Sequence, residues 1–144
     1  MAENFLVGVD GSEGGTRAVD FAVARAKSSG ARLIIAYVIE WSPYSFMTPE
    51  ELEMRNKRHD EEIAKAQSQI VDPIVASLKS QGLDATGRVR HGHAAEVICQ
   101  LAREEKATQV FVGRLGISKL KALLFGSITG SLVQICPVPV TVVP

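Results

Sequence analysis

Beyond Glu105 the sequence has no acidic residue, and that segment carries only Lys106, Arg114, Lys119 and Lys121 as formal charges. The end of the chain is locally cationic, although the whole is balanced at 16 basic against 16 acidic residues. Zero net charge excludes the broad basic surface of a general nucleic-acid binder and predicts no attraction to an acidic membrane. Cysteine is scarce as well: Cys99 and Cys136 stand in no CxxC or metal-ligand spacing, which excludes a disulfide scaffold and reads as two small buried hydrophobes without chemistry. No apolar run exceeds strand length, so none can span a bilayer as a helix. The start, Met1-Ala2-Glu3-Asn4, lacks the charged and apolar regions of a signal peptide, and a cytoplasmic location is expected. There is no Walker A sequence, no HExxH and no GxGxxG after the first strand, so P-loop, zinc-protease and dinucleotide chemistry have no support.

What is present is a beat. With 46% hydrophobic residues in 144, the chain suits one well-buried core, and a single domain over residues 1–144 is expected. Phe5 to Val9 reads as a strand, and Asp10-Gly11-Ser12 as a turn opening a helix. That helix, from Glu13 to Ser29, carries Ala18, Phe21, Ala22 and Ala26 at helical spacing and stops at Gly30. Ala31 to Val38 is a second strand. After a loop holding Trp41, Tyr44 and Phe46, either a hydrophobic plug or a lid, Thr48 and Pro49 serve as N-cap and first residue of a long polar helix to about Ser80. Asp84 to His91, Ala94 to Lys106 and Gln109 to Val112 read as strand, helix, strand. Ile128 to Ile135 and Val138 to Val143 supply a last helix and strand. Strands alternating with helices predict an α/β fold, a doubly wound parallel sheet with helices on both faces.

In such a sheet ligands collect beyond the carboxyl ends of the strands, where the winding direction switches. The loops after strands one and four hold the unusual residues. Asp10-Gly11-Ser12 follows the first, and Gly113-Arg114-Leu115-Gly116 follows the fourth, with Gly126-Ser127 nine residues later. Glycines let backbone N–H groups approach phosphate oxygens, and a helix starting after Gly126 adds its dipole and unpaired amides. Ser127 and Thr129 offer hydroxyls, while Arg114, Lys119 and Lys121 lower the cost of gathering negative charge. The plainer alternative makes these glycines a turn and a helix stop. Asp10 likewise has two readings, as cap of the following helix or, where Ser12 caps it instead, as a carboxylate released to meet a ligand.

Gly113-x2-Gly116-x9-Gly126-Ser127 resembles the ATP-binding signature of the universal stress protein family. F-L-V-G-V-D-G-S resembles that family's first strand and aspartate turn, A-Y-V-I its second strand, and C-P-V-P-V-T-V-V its last. The resemblance implies a five-stranded parallel sheet of order 3-2-1-4-5. It also implies adenine contacts at Val9, Asp10 and the backbone of Val38, and phosphate and ribose contacts at Gly113, Gly116, Gly126, Ser127, Ile128 and Thr129. Val112 would pack near the base or ribose. Arg114 and Lys119 are candidates to face phosphate by their charge alone, Lys119 standing where the family often has a small residue. This sequence departs from the family's usual pattern at Gly8, where proline is common. It departs again at Arg114-Leu115, where a small residue usually precedes the basic one, and at Gly92-His93-Ala94 in place of Gly-x-Pro.

The implied ligand is ATP, or ADP or AMP, with Mg²⁺, and the implied role is a nucleotide-dependent dimeric switch acting on a regulatory protein partner in stress response. No general base is identifiable, so the chain is read as a binding protein, with slow hydrolysis or self-phosphorylation as its only chemistry. The competing readings are an adenylyl- or phosphoryl-transferring enzyme of the wider superfamily and a nucleotide-free dimeric module. The last strand is apolar on both faces and Pro139 suits an edge, which invites pairing with another chain. The resemblance implies an antiparallel homodimer there, through Val138, Val140 and Val142. His91 and His93, two apart at a strand end, can share a metal in one reading and are exposed loop histidines in the other, with His93 turned toward nucleotide.

Overall fold

The structure, a computed structural model, describes residues 3–40, 48–114 and 127–144. In chain order the elements are β1 (Asn4–Val9), α1 (Glu13–Ser29), β2 (Arg32–Glu40), α2 (Pro49–Ala66), α3 (Asp72–Ser80), β3 (Ala85–Gly92), α4 (Ala94–Glu104), β4 (Gln109–Gly113), α5 (Ser127–Ile135) and β5 (Val140–Val143). The five strands form one parallel sheet in the order β3-β2-β1-β4-β5. Both the α/β class and the expected strand order hold.

Strand β1 is central because it is apolar on both faces. Phe5, Val7 and Val9 join Ala18, Val19, Ala22, Val23 and Ala26 of α1 and Val71, Val75 and Leu78 near α3 in one core layer. Leu6 belongs to the other layer, with Val97, Ile98 and Leu101 of α4 and Leu132 of α5. Phe111 of β4 is fully buried in the first layer, edge-on to Phe5 at 5.0 Å between ring centroids. Alternating side chains thus feed two cores, which is why the strands read as near-continuous apolar runs.

The helix ends follow local chemistry. Ser12 caps α1, and Gly30, at φ 76°, closes it by donating its N–H to the Ala26 carbonyl. At α2 the Thr48 hydroxyl accepts from the Glu51 N–H and the Glu51 carboxylate accepts from the Thr48 N–H, with Pro49 in the first turn.

The long polar helix expected from Pro49 to about Ser80 is not one uniform element. A π-helical segment, Gln67–Val71, separates α2 from α3, and the Asp72 N–H reaches back to the Gln67 carbonyl. Pro73 explains it: the ring has no N–H to donate and would press on the carbonyl four residues earlier, and a wider turn relieves both. Nor is the second half polar, since Val71, Val75 and Leu78 are buried.

The two edges of the sheet differ. Arg88 and Arg90 of β3 pair with Glu105 and Glu104 at 2.9 and 2.6 Å, and Arg32 also reaches Glu105 at 3.0 Å. Charges along an edge discourage pairing with another chain. Edge β5 is apolar, and it starts later than expected. Val138 and Pro139 precede the strand because proline cannot donate to the ladder, although the Pro139 carbonyl accepts from the Val110 N–H at 2.9 Å.

Candidate functional site

The site is built where β1 and β4 end side by side. After β1 the chain turns through Gly11 at φ 82°, a conformation open to glycine, and Ser12 then starts α1. The Ser12 oxygen accepts from the Gly15 N–H at 3.3 Å, while Asp10 Oδ1 accepts from the Ser12 N–H at 2.9 Å and from the Ser12 hydroxyl. Of the two readings of this turn, the one in which Ser12 caps the helix is observed. Ser12 does cap the helix, but Asp10 holds the cap in place, because a hydroxyl can donate to one group while accepting from another.

After β4 the geometry is tighter. A Cβ on Gly113 would lie 2.7 Å from the backbone carbon and oxygen of Gly14, so the end of β4 presses directly on the first turn of α1. The Gly113 carbonyl accepts from the Thr129 hydroxyl at 2.8 Å, and Thr129 is only 3% exposed. This bond brings the first turn of α5 against the end of β4. An α-helix leaves its first N–H groups without partners inside the helix, so this placement aims a positive helix end at the switch point. The Thr129 proton is committed to Gly113. What α5 presents to a ligand is backbone rather than that hydroxyl.

The model of the universal stress protein family matches residues 1–144, the whole chain. The protein belongs to the universal stress protein family. It is 31% identical to a universal stress protein of Thermus aquaticus, across 99% of each chain. It is similar in fold to universal stress protein UspA of Lactobacillus plantarum, with a TM-score of 0.83 and 24% identity over 99% of this chain and 97% of that one. A third relative, a universal stress protein in complex with cAMP, is 27% identical, with a TM-score of 0.64 over 99% of this chain and 96% of the other.

In this universal stress protein, Val9 and Val112 end neighbouring strands but face opposite layers. Val9 packs with α1, and Val112 packs with α4 and α5. Val38, near the end of β2, lies on the side of Val112 and is half-buried. The side chains of Val38 and Val112 therefore lie on one face of the sheet and that of Val9 on the other. Arg114 is exposed, and its N–H donates to the Val143 carbonyl at 2.8 Å. Ser127 and Ile128 open α5. Gly116, Lys119, Lys121 and Gly126, like Trp41, Tyr44 and Phe46, lie outside the described residues.

One departure from the family pattern has a packing reason: a Cβ on Gly8 would meet the Ile98 and Val112 side chains, both at 3.1 Å. Gly92, which the pattern shares, is held bare by Val97, 2.6 Å from where its Cβ would lie. The histidines divide as well. His93 is exposed at the start of α4, beyond the end of β3. His91 is not an exposed loop residue: its ring stacks on His59 of α2 at 4.1 Å, and Nε2 donates to the His59 carbonyl at 3.2 Å. Among the described residues no group of three or more His, Cys, Asp or Glu is placed to hold a metal.

His59 Nε2 in turn accepts from Arg55 Nε at 3.3 Å, which requires a neutral ring. Burial, then the His91 and Arg55 charges, lower the His59 pKa from the ordinary 6.5, while Glu62 and Asp60 oppose them. As pH falls below 6.5 the unfolded chain takes up a proton that the folded one resists. Stability from neutral His59 is therefore complete above 6.5 and is lost as pH falls through the lowered value. Between about pH 7.5 and about pH 5.5 the urea midpoint of the wild type is expected to fall further than that of His59→Gln. Equal falls would remove His59 from the explanation.

Proposed function

We propose that this universal stress protein is a cytoplasmic adenine-nucleotide-binding protein that takes ATP, or ADP or AMP, with Mg²⁺. In this reading the nucleotide lies across the carboxyl ends of β1 and β4. Asp10 and the backbones of Val9 and Val38 border the base, Val112 packs near the base or ribose, and Gly113, Gly116, Gly126, Ser127, Ile128 and Thr129 border ribose and phosphates. Arg114 and Lys119 supply positive charge near the phosphates. The observation that carries the proposal is the start of α5 held against the end of β4 by the Thr129–Gly113 bond, a helix N-terminus at the switch point of the sheet. The cAMP complex of a relative 27% identical supports the ligand class.

The protein acts as a binding module of one domain, with slow hydrolysis or self-phosphorylation at most. It signals as a homodimer whose contacts with a regulatory protein depend on occupancy. The contrast between the charged β3 edge and the apolar β5 edge supports pairing through Val138, Val140 and Val142, all half-buried on one face. No helix of the described residues is long and apolar enough to cross a membrane.

Mass spectrometry of nucleotide retained by the purified protein tests this. The wild type is expected to carry adenine nucleotide, and Gly116→Val with Gly126→Val to lose it while staying folded. A wild type that neither retains nor binds ATP at millimolar concentration with Mg²⁺ would leave the nucleotide-free dimeric module in its place.

A further inference from the structure

Helix α2 is fastened to the body by different chemistry at its two ends. Its inward stripe runs through Arg55, His59, Glu62, Ile63 and Ala66, at helical spacing. Of α2 only Ala66, its last residue, is buried, and Leu52 and Met54 near its start are exposed. Beyond Ala66 the chain sinks Val71, Val75 and Leu78 into the first core layer. The far end is therefore anchored by apolar burial, and the near end rests on polar contacts. The His59 ring stacks on His91 of β3 at 4.1 Å, with 20° between the ring planes. His91 Nε2 donates to the His59 carbonyl at 3.2 Å, Arg55 Nε donates to His59 Nε2 at 3.3 Å, and the Glu62 carboxylate lies 3.8 Å from His91 Nε2.

We propose that α2 is an acid-released arm: protonation of His59 breaks its contacts with Arg55 and His91, and the helix swings away from β3 about the π-helical segment while the sheet stays folded. His59 Nε2 can accept from Arg55 only through its lone pair. A proton there sets two N–H groups against each other and a positive ring beside a guanidinium. Release brings a gain of its own, because His91 Nδ1 is buried with no hydrogen-bond partner among the described residues, and lifting α2 opens it to water. The hinge is the π-helical segment Gln67–Val71, where the regular ladder of helix hydrogen bonds is already interrupted.

The groups around His59 set the direction of the response. Burial comes first in resisting a charge on His59, followed by His91 and Arg55, while Glu62 and Asp60 favour the charge and are outweighed. Arg88 and Arg90, on the opposite face of β3, are held by Glu105 and Glu104. Strand β2 sets Tyr37 beside Val89 and Glu40 beside Gly92, and at the hinge Gln67 holds Asp72 at 2.6 Å. The docked arm thus has a His59 pKa below 6.5, and release returns it to the ordinary value. Acid favours the released arm and neutral pH the docked one. One proton, taken up over the unit between pH 6.5 and about pH 5.5, shifts the equilibrium by at most about tenfold. Nothing in this device requires the proposed nucleotide.

Hydrogen exchange of the full chain, read by mass spectrometry at about pH 7.5 and about pH 5.5, is the test, with each rate divided by the intrinsic rate at its own pH. Amides of residues 52–66 are expected to exchange more readily than those of the α4 core at both pH values, and their opening to rise severalfold on acidification. His59→Gln is expected to lose that rise, whatever its starting level, while its α4 amides stay protected and report that the variant is folded. The proposal fails if α2 at the lower pH is as protected as α4, since the arm would then leave only when the whole domain unfolds. It fails equally if His59→Gln keeps the full response, or if α2 opening in the wild type does not change with pH.

Discussion

Gly113→Val is expected to lower the stability of the nucleotide-free protein by about 3 kcal/mol, a fall in Tm of roughly 10 °C. A Cβ at this position meets the backbone of Gly14 at 2.7 Å. No side-chain rotation can relieve that contact, so β4 and the first turn of α1 must separate. Replacing glycine also restricts the unfolded chain and returns about 0.4–1 kcal/mol, which is too little to offset the clash. The same displacement pulls on the carbonyl that holds Thr129, so α5 loses its seat and nucleotide retention falls with stability. Urea titration of the apo protein separates two roles for this glycine. Had Gly113 served only to bring an amide near phosphate, the apo midpoint would not move.

Gly87→Ala should cost about 2–3 kcal/mol, far from the proposed nucleotide site. The added Cβ would lie 2.2 Å from Val71 Cγ1. Val71 ends the π-helical segment, is fully buried, and is β-branched, so it has few other rotamers to adopt. Val71→Ala alone is expected to cost about 1–2 kcal/mol for the methyls removed. Together the two changes relieve each other, since the methyl added in Gly87→Ala occupies part of the space that Val71 vacates. The double variant should be more stable than the sum of the single effects by more than about 1 kcal/mol. Strict additivity in urea denaturation would show that this contact does not set the position of the π-helical segment on β3.

Much of the fold was legible in the residues because it rests on short-range chemistry. The Ser12 and Gly30 ends of α1 and the Thr48-Pro49-Glu51 start of α2 each depend on groups within about one helical turn. Where the expectation failed between Pro49 and Ser80, the signal was present in Pro73, whose missing N–H demanded either a kink or a wider turn. Polar residues before and after it concealed that Val71, Val75 and Leu78 share one buried side. The site divides in the same way. Its location beyond β1 and β4 follows from the alternation of strands and helices, since a doubly wound sheet has one switch point.

The packing behind the candidate site was not legible. The sequence suggested a glycine at 113 spared for phosphate, and the structure adds that its bareness is required by Gly14, a contact that exists only because β4 lies beside β1 and beneath α1. Thr129 looked like a ligand donor, and its hydroxyl is committed to Gly113.

By itself the sequence determined the α/β class, the helix caps, the two loops that meet at the switch point and the family to which the chain belongs. All are encoded in periodicity, in neighbours a few residues apart, or in motifs. The tertiary structure alone decided that Asp10 secures Ser12, that α5 is seated on Gly113, and that His59 stacks on His91. Except for Asp10 and Ser12, these partners lie far apart along the chain and come together only through the crossover connections of a parallel sheet. For Asp10 and Ser12 the composition of the turn allowed two arrangements, and only the direction of a hydroxyl separated them.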